Sequence, residues 1–159
     1  AFMLGVLVML VMWIWDNLPD RYDANWLKTA GGMFDKSNRT HPPAGRFNTG
    51  QKLIFWAVVL GGATLSVSGI FMLFPFSFTD VNGMQTAQYV HATVGVIMIA
   101  VIIAHIYIGT LGMEGAYDAM GSGTVDLNWA KEHHSAWVEK QQAKADGRVP
   151  PHNAAEPAE

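Results

Sequence analysis

Two histidines, His91 and His105, lie in the uncharged stretch YVHATVGVIMIAVIIAHIYIGTL, residues 89–111. About 20 apolar residues cross the hydrocarbon core of a bilayer, so this stretch reads as a transmembrane helix. Imidazole inside such a helix is costly and normally has a partner. At 100° per residue the 14-residue spacing leaves the two rings within about 40° of one face. At 1.5 Å per residue it sets them roughly 21 Å apart, near opposite membrane surfaces. Imidazole nitrogen ligates iron, and two rings on one face at opposite depths suit two stacked haems. Gly95 and Gly109 follow the histidines at four residues' distance. Positions i and i+4 share a helix face, so each glycine leaves room for a flat macrocycle. The plainer alternative is two polar residues bridging helices, with glycines for close packing. The shared face and the opposite depths favour iron.

The elements that must position these rings follow from the distribution of charge. Half of the 159 residues are hydrophobic, yet nearly all formal charge falls in residues 16–52 and 114–159, with Asp80 alone between them. That partition describes an all-α membrane protein with polar ends. There is no cysteine, which excludes iron–sulfur clusters, thiolate chemistry and disulfides within this chain and leaves histidine and carboxylate for any zinc. A net charge of −3 gives no reason to expect nucleic-acid binding.

Three helices of a transmembrane bundle are expected, at about 1–15, 48–74 and 85–111. The first begins inside an apolar run, as a helix does when its upstream part lies outside the sequence, and Trp13 and Trp15 suit the aromatic belt. Asp16-Asn17-Leu18-Pro19 ends it. Residues 20–46 form a polar loop holding one amphipathic surface helix, capped by Asp23, with Trp26, Leu27, Ala30, Met33 and Phe34 on its apolar side. His41, in SNRTHPPAG, is expected in a solvated loop. In the second helix Gly61, Gly62, Gly69, Ser66 and Ser68 let a neighbouring helix or a cofactor approach. After residue 111 comes a helical tail, 112–145, with one helix from Asp126 to about Lys144 carrying Trp129, His133 and Trp137 at i, i+4 and i+8. His133 and His134 are adjacent and face different ways on a helix, which favours a surface or partner contact over a metal site. Residues 146–159 have a disordered composition. Three units result: a bundle over 1–111, the tail, and the disordered end.

Lysine and arginine orient the bundle. Arg21, Lys28, Lys36, Arg39, Arg46 and Lys52 border the first connection, and the second has none. The positive-inside rule puts residues 17–47 in the cytoplasm and 75–85 on the periplasmic side of a bacterial inner membrane; parity returns the tail to the cytoplasm.

Four segments carry a family resemblance: NLPDRYDANWL, RFNTGQKLIFW, QYVHATVGVIMIAVIIAHIYIG and NWAKEHHSAW. Over residues 1–140 the chain resembles the cytochrome b (gamma) subunit of membrane-bound respiratory formate dehydrogenase. The resemblance implies a four-helix cytochrome holding two haem b groups, each between two histidines. His91 matches a ligand of the outer haem and His105 a ligand of the inner one, and their axial partners are missing from this sequence. It implies an iron–sulfur beta subunit, an alpha subunit with a molybdenum or tungsten pterin, and a higher oligomer of the complex as a possible assembly. Electrons from formate would pass through the clusters and both haems to quinone in anaerobic respiration, and formate oxidation would lie in another subunit. A hydrogenase or a thiosulfate or polysulfide reductase could be the donor to such a cytochrome, and a cofactor-free membrane anchor is the third reading.

Quinone reduction needs hydrogen-bond donors near a haem edge. Asn48 and Gln51 lie three apart on the opening turn of the second helix and donate without burying charge. His105 Nδ1–H could orient one carbonyl while Nε2 holds iron. The alternative is that Asn48 caps the helix and Gln51 closes the cap.

Overall fold

The computed structural model of the chain describes residues 1–32 and 41–148. Among these every regular element is helical: α1 (Phe2–Trp13), α2 (Asp23–Lys28), α3 (Thr49–Leu73), α4 (Val81–Tyr107), α5 (Asp118–Gly121), α6 (Leu127–His133) and α7 (Ser135–Ala145). The helical membrane bundle read from the sequence is therefore the observed architecture. α3 and α4 are each long and apolar enough to cross a membrane, and α1 is a shorter apolar helix. The most apolar window of α4 has no buried residue. An 18-residue apolar surface left open in this way suits lipid or further helices, not the core of a soluble protein.

α3 packs against both α4 and α1. Its paired glycines divide the work. A Cβ on Gly61 would run into Met98 of α4, and one on Gly62 would stand 2.8 Å from Val6 of α1. Apolar burial gives helices in lipid no net drive to associate, so close backbone approach through small residues is what holds such a contact. The α3–α4 register is antiparallel: Gly61 meets Met98, Leu65 lies 3.9 Å from a Cβ position on Gly95, and Ser68 meets His91.

The ends differ in several places from the sequence expectation. α1 stops at Trp13 and passes into a 3-10 turn, Trp15–Asn17. Asn17 is buried; its Nδ2 donates to Trp13 O (2.9 Å), and its carbonyl accepts from Trp56 Nε1 (2.9 Å). The turn is thereby tied to α3, and Arg46 bonds Asp16 across it at 2.8 Å. α4 starts at Val81, a turn earlier than expected, because the Asp80 side chain accepts from Gly83 N at 2.9 Å and caps it. Beyond Tyr107 the helix widens into a π-helical turn, Ile108–Gly112.

The surface helix is shorter than expected. α2 ends at Lys28, and Gly31 takes φ +67°, with Trp26 packed where its Cβ would stand. Met33 and Phe34 lie outside the described residues, as does the end from 149 onward. Asp23 does not cap α2, since its carboxylate turns toward Asp20 N (2.7 Å) and α3. The tail helix is broken. His134 sits at φ −140°, ψ 43°, and separates α6 from α7. The cause is docking: His134 Nδ1 donates to Gly45 O (2.9 Å), and Trp137 N reaches Ala44 O (3.3 Å). The tail thus packs on the segment before α3, at the same end of the helix pair.

Candidate functional site

α4 is uninterrupted from Val81 to Tyr107, so the spacing argument for His91 and His105 carries over to the fold. The two stand on one continuous helix, roughly 21 Å apart along its axis. Their surroundings differ. His91 is half-buried against α3. Its Nδ1 lies 3.0 Å from Ser68 Oγ, and Ser68 is buried. Ser68 Oγ also lies 2.7 Å from Thr64 O. A carbonyl only accepts, so the single hydroxyl proton goes to Thr64, and the Ser68 oxygen must accept from His91 Nδ1–H. The tautomer is fixed, and Nε2 keeps its lone pair. This is the arrangement a ligating histidine needs: one nitrogen held by a neighbour, the other free for metal. Bridging helices and ligating iron use different nitrogens of the same ring.

Gly69 completes this side. A Cβ there would stand 3.4 Å from His91 Cε1, so the ring lies directly against the α3 backbone. Ser68 also lines an open cleft of about 540 Å³ with Ala63, Val67, Phe71, Ala87 and Val90. A cleft of that size with almost wholly apolar walls is within the range of small-molecule and cofactor sites. The cleft reaches Ser68 but is not lined by His91 itself, so what fits a haem ligand here is the donor: an imidazole whose Nδ1 is held by Ser68 and whose Nε2 is left to ligate. Gly95 shares the α3-facing side with His91. His105 continues that stripe by spacing but is exposed, and so are Ile103, Ile106 and Tyr107 around it. Gly109 lies in the π-helical turn, near Met120 Cε.

Asn48 and Gln51 form a capping box. Gln51 N donates to Asn48 Oδ1 (2.9 Å), and Asn48 N donates to Gln51 Oε1 (2.8 Å). The box engages both side-chain oxygens and leaves both NH2 groups as donors.

One turn further on is a cluster that sequence reasoning missed: it counted Lys52 only as charge and took Asp23 for a helix cap. Lys52 is 5% exposed. Its ammonium bonds Asp20 (2.8 Å) and Asp23 (3.0 Å), and Asp23 also accepts from Thr49 Oγ1 (2.7 Å). Burial alone would raise the Asp23 carboxyl; the Asp20 N–H, the Thr49 hydroxyl and the Lys52 ammonium outweigh it and hold that group below its usual range. The signal was available as D-x-x-D before an amide-capped T-x-x-K, but pairing them requires the chain to fold back between Asp23 and Thr49.

The remaining described histidines gather at the loop–tail end. His41 is not solvated as expected: its ring lies 4.4 Å from His133, and its Nδ1 is 2.9 Å from Gly31 O. His133 packs at a tilt against Trp129, with ring centroids 4.7 Å apart. Burial, and then the neighbouring His41, hold His133 below the ordinary imidazole value, with Glu132 opposing. Burial also lowers His134, with the Gly45 hydrogen bond opposing.

Comparison with known proteins agrees with the resemblance carried by the sequence motifs. The model of the family described as prokaryotic cytochrome b561 matches residues 1–123. The cytochrome b556(Fdn) subunit of the nitrate-inducible formate dehydrogenase of Escherichia coli strain K12 is 30% identical, over 92% of this chain and 69% of that protein. The cytochrome b556(fdo) subunit from the same organism is 34% identical over 76% of this chain and 57% of its own. A formate dehydrogenase cytochrome b556 subunit of Haemophilus influenzae is 27% identical, over 84% and 57%. With its helical membrane fold, its histidine-bearing span and this match, the chain belongs to the prokaryotic cytochrome b561 family, membrane cytochromes that bind haem b.

Proposed function

We propose that this chain is the di-haem membrane subunit of a formate dehydrogenase, passing electrons from an iron–sulfur partner subunit across the membrane to quinone. The observation that carries the reading is the single unbroken helix α4 with His91 and His105 at opposite depths, the first held by Ser68 with Nε2 free. The named relatives are formate dehydrogenase subunits, which supports formate as the electron source. Haem b bound at such histidines supplies one-electron transfer. The protein's part is to hold each ring, to separate the two by the thickness of the membrane, and to keep water from the outer one.

Quinone fits the other end. The α3–α4 register, continued, sets His105 level with Ile54 and Phe55, and Asn48 about 9 Å further along. The NH2 groups of Asn48 and Gln51 would donate to a quinone carbonyl there. Lys52, four residues after Asn48 on the same helix side, sets an ammonium close by, held by Asp20 and Asp23. Lys and Arg counts support a cytoplasmic loop and tail with a periplasmic turn between α3 and α4. Formate oxidation itself belongs to a pterin-bearing subunit outside the membrane.

The test is a spectrum of the purified complex. Formate should reduce b-type haem in it, and quinone should reoxidise that haem. A complex that lacks a b-type reduced-minus-oxidised spectrum, or one reduced by hydrogen and not by formate, contradicts the proposal.

A further inference from the structure

We propose that His41, Glu132 and His133 form a binding site for one divalent transition-metal ion of the zinc type, clasping the segment before α3 to the tail. Among the described residues this is the group whose ligand atoms converge, all within 4.8 Å of one another. It joins two stretches of chain that lie on either side of both membrane spans.

The hydrogen-bond geometry points to a cation between the three side chains. His41 Nδ1 lies 2.9 Å from Gly31 O. A carbonyl only accepts, so Nδ1 carries the hydrogen, and Nε2 is the nitrogen left to ligate. That Nε2 faces Glu132 Oε1 at 3.4 Å. A lone pair and a carboxylate oxygen at that separation repel unless a proton or a metal ion stands between them. His133 packs its ring against His41 at 4.4 Å. His133 brings the third ligand atom, within 4.8 Å of the other two. One shared metal ion satisfies all three groups together.

Size and softness agree. Zinc binds imidazole nitrogen at 2.0–2.1 Å and carboxylate oxygen at similar distances, so tetrahedral ligands stand about 3.3 Å apart. The His41–Glu132 separation already matches, and a rotamer adjustment of about 1.5 Å brings in the third group. Two imidazoles and one carboxylate form a borderline donor set that favours zinc, cobalt or nickel over calcium or magnesium. Water would take the fourth position. The Gly31 carbonyl is the outer partner that orients His41, as ligating histidines require.

The test uses the intact complex, stripped with a chelator and re-equilibrated with zinc chloride. Zinc per chain is counted by mass spectrometry, and affinity is measured by competition with a chelating dye. Wild type should hold about one zinc more per chain than Glu132→Gln or His133→Ala, and Lys131→Ala should match wild type. Loss of one ligand should weaken binding roughly 100-fold or more, since loss of an outer partner alone costs 10–100-fold. Glu132 is 46% exposed, so its substitution leaves the fold standing. Zinc should also slow tryptic cleavage of the tail in wild type and not in Glu132→Gln. Equal zinc in wild type and both ligand variants, or none retained by wild type, overturns the site.

Discussion

Ser68 and Asn48 are the residues at which one atom decides a role. Ser68 takes the Nδ1–H of His91 because its own proton is committed to Thr64. A hydrogen bond accepted from Nδ1–H makes the imidazole a more basic ligand and stabilises oxidised iron. Ser68→Ala should therefore raise the midpoint potential of the haem held by His91 and leave haem content unchanged. Redox titration of the variant measures this; an unchanged potential would show that the serine only bridges helices. Asn48 is a cap by geometry and a quinone donor by proposal. Serine caps as well as asparagine but lacks the NH2 group. Asn48→Ser should keep thermal stability and haem content, while haem reoxidation by quinone slows. Unaltered reoxidation kinetics and unaltered sensitivity to quinone-analogue inhibitors would remove Asn48 from the site. Alanine is the less informative change, since it also costs about 1 kcal/mol of capping.

At the scale of elements, the break between α6 and α7 matters most. A continuous helix over 126–144 was the natural reading of NWAKEHHSAWVEKQQAK, because its apolar residues recur at helical spacing. Nothing local signals the stop at His134. It comes from Gly45 and Ala44, which take hydrogen bonds from the tail, and a partner nearly 90 residues away leaves no mark in a local pattern. The same holds for Asp23, whose side chain serves α3 instead of capping α2. By contrast Asn48 and Gln51 announced their box, since both ends of it lie within one turn. The docked tail carries a pH dependence. Burial holds His133 and His134 below the ordinary imidazole value of about 6.5. Between the folded and unfolded values the unfolded tail binds more protons, so stability rises with pH there. Docking should be complete above about pH 6.5 and weaken as pH falls below it. Hydrogen exchange of the amides of α7, corrected for intrinsic rates, should show protection at pH 7.5 that declines toward pH 5.5. Protection that holds or grows on acidification contradicts this.

Over the whole molecule, the two long apolar helices and the placement of charge at their ends were legible from composition and length alone. The bilayer imposes one requirement, about 20 uncharged residues per span, and the sequence meets it openly. The common face of His91 and His105 was legible too, because a straight helix turns spacing into angle. What could not be read is which neighbour each ring meets. Ser68 and Gly69 lie on another helix, and the antiparallel register that brings them to His91 is set by Gly61 against Met98. Nor does the sequence show that the tail and the segment before α3 close over one end, which places Lys52, Asn48 and the three clustered histidines together there. The central claim is that α4 carries one haem ligand near each membrane surface. Pyridine-haemochrome quantitation of the full complex with His91→Ala and with His105→Ala tests it most directly. Each variant should lose one of two haems and keep the other, while formate still reduces an artificial dye. Unchanged haem content in both variants would contradict the assignment.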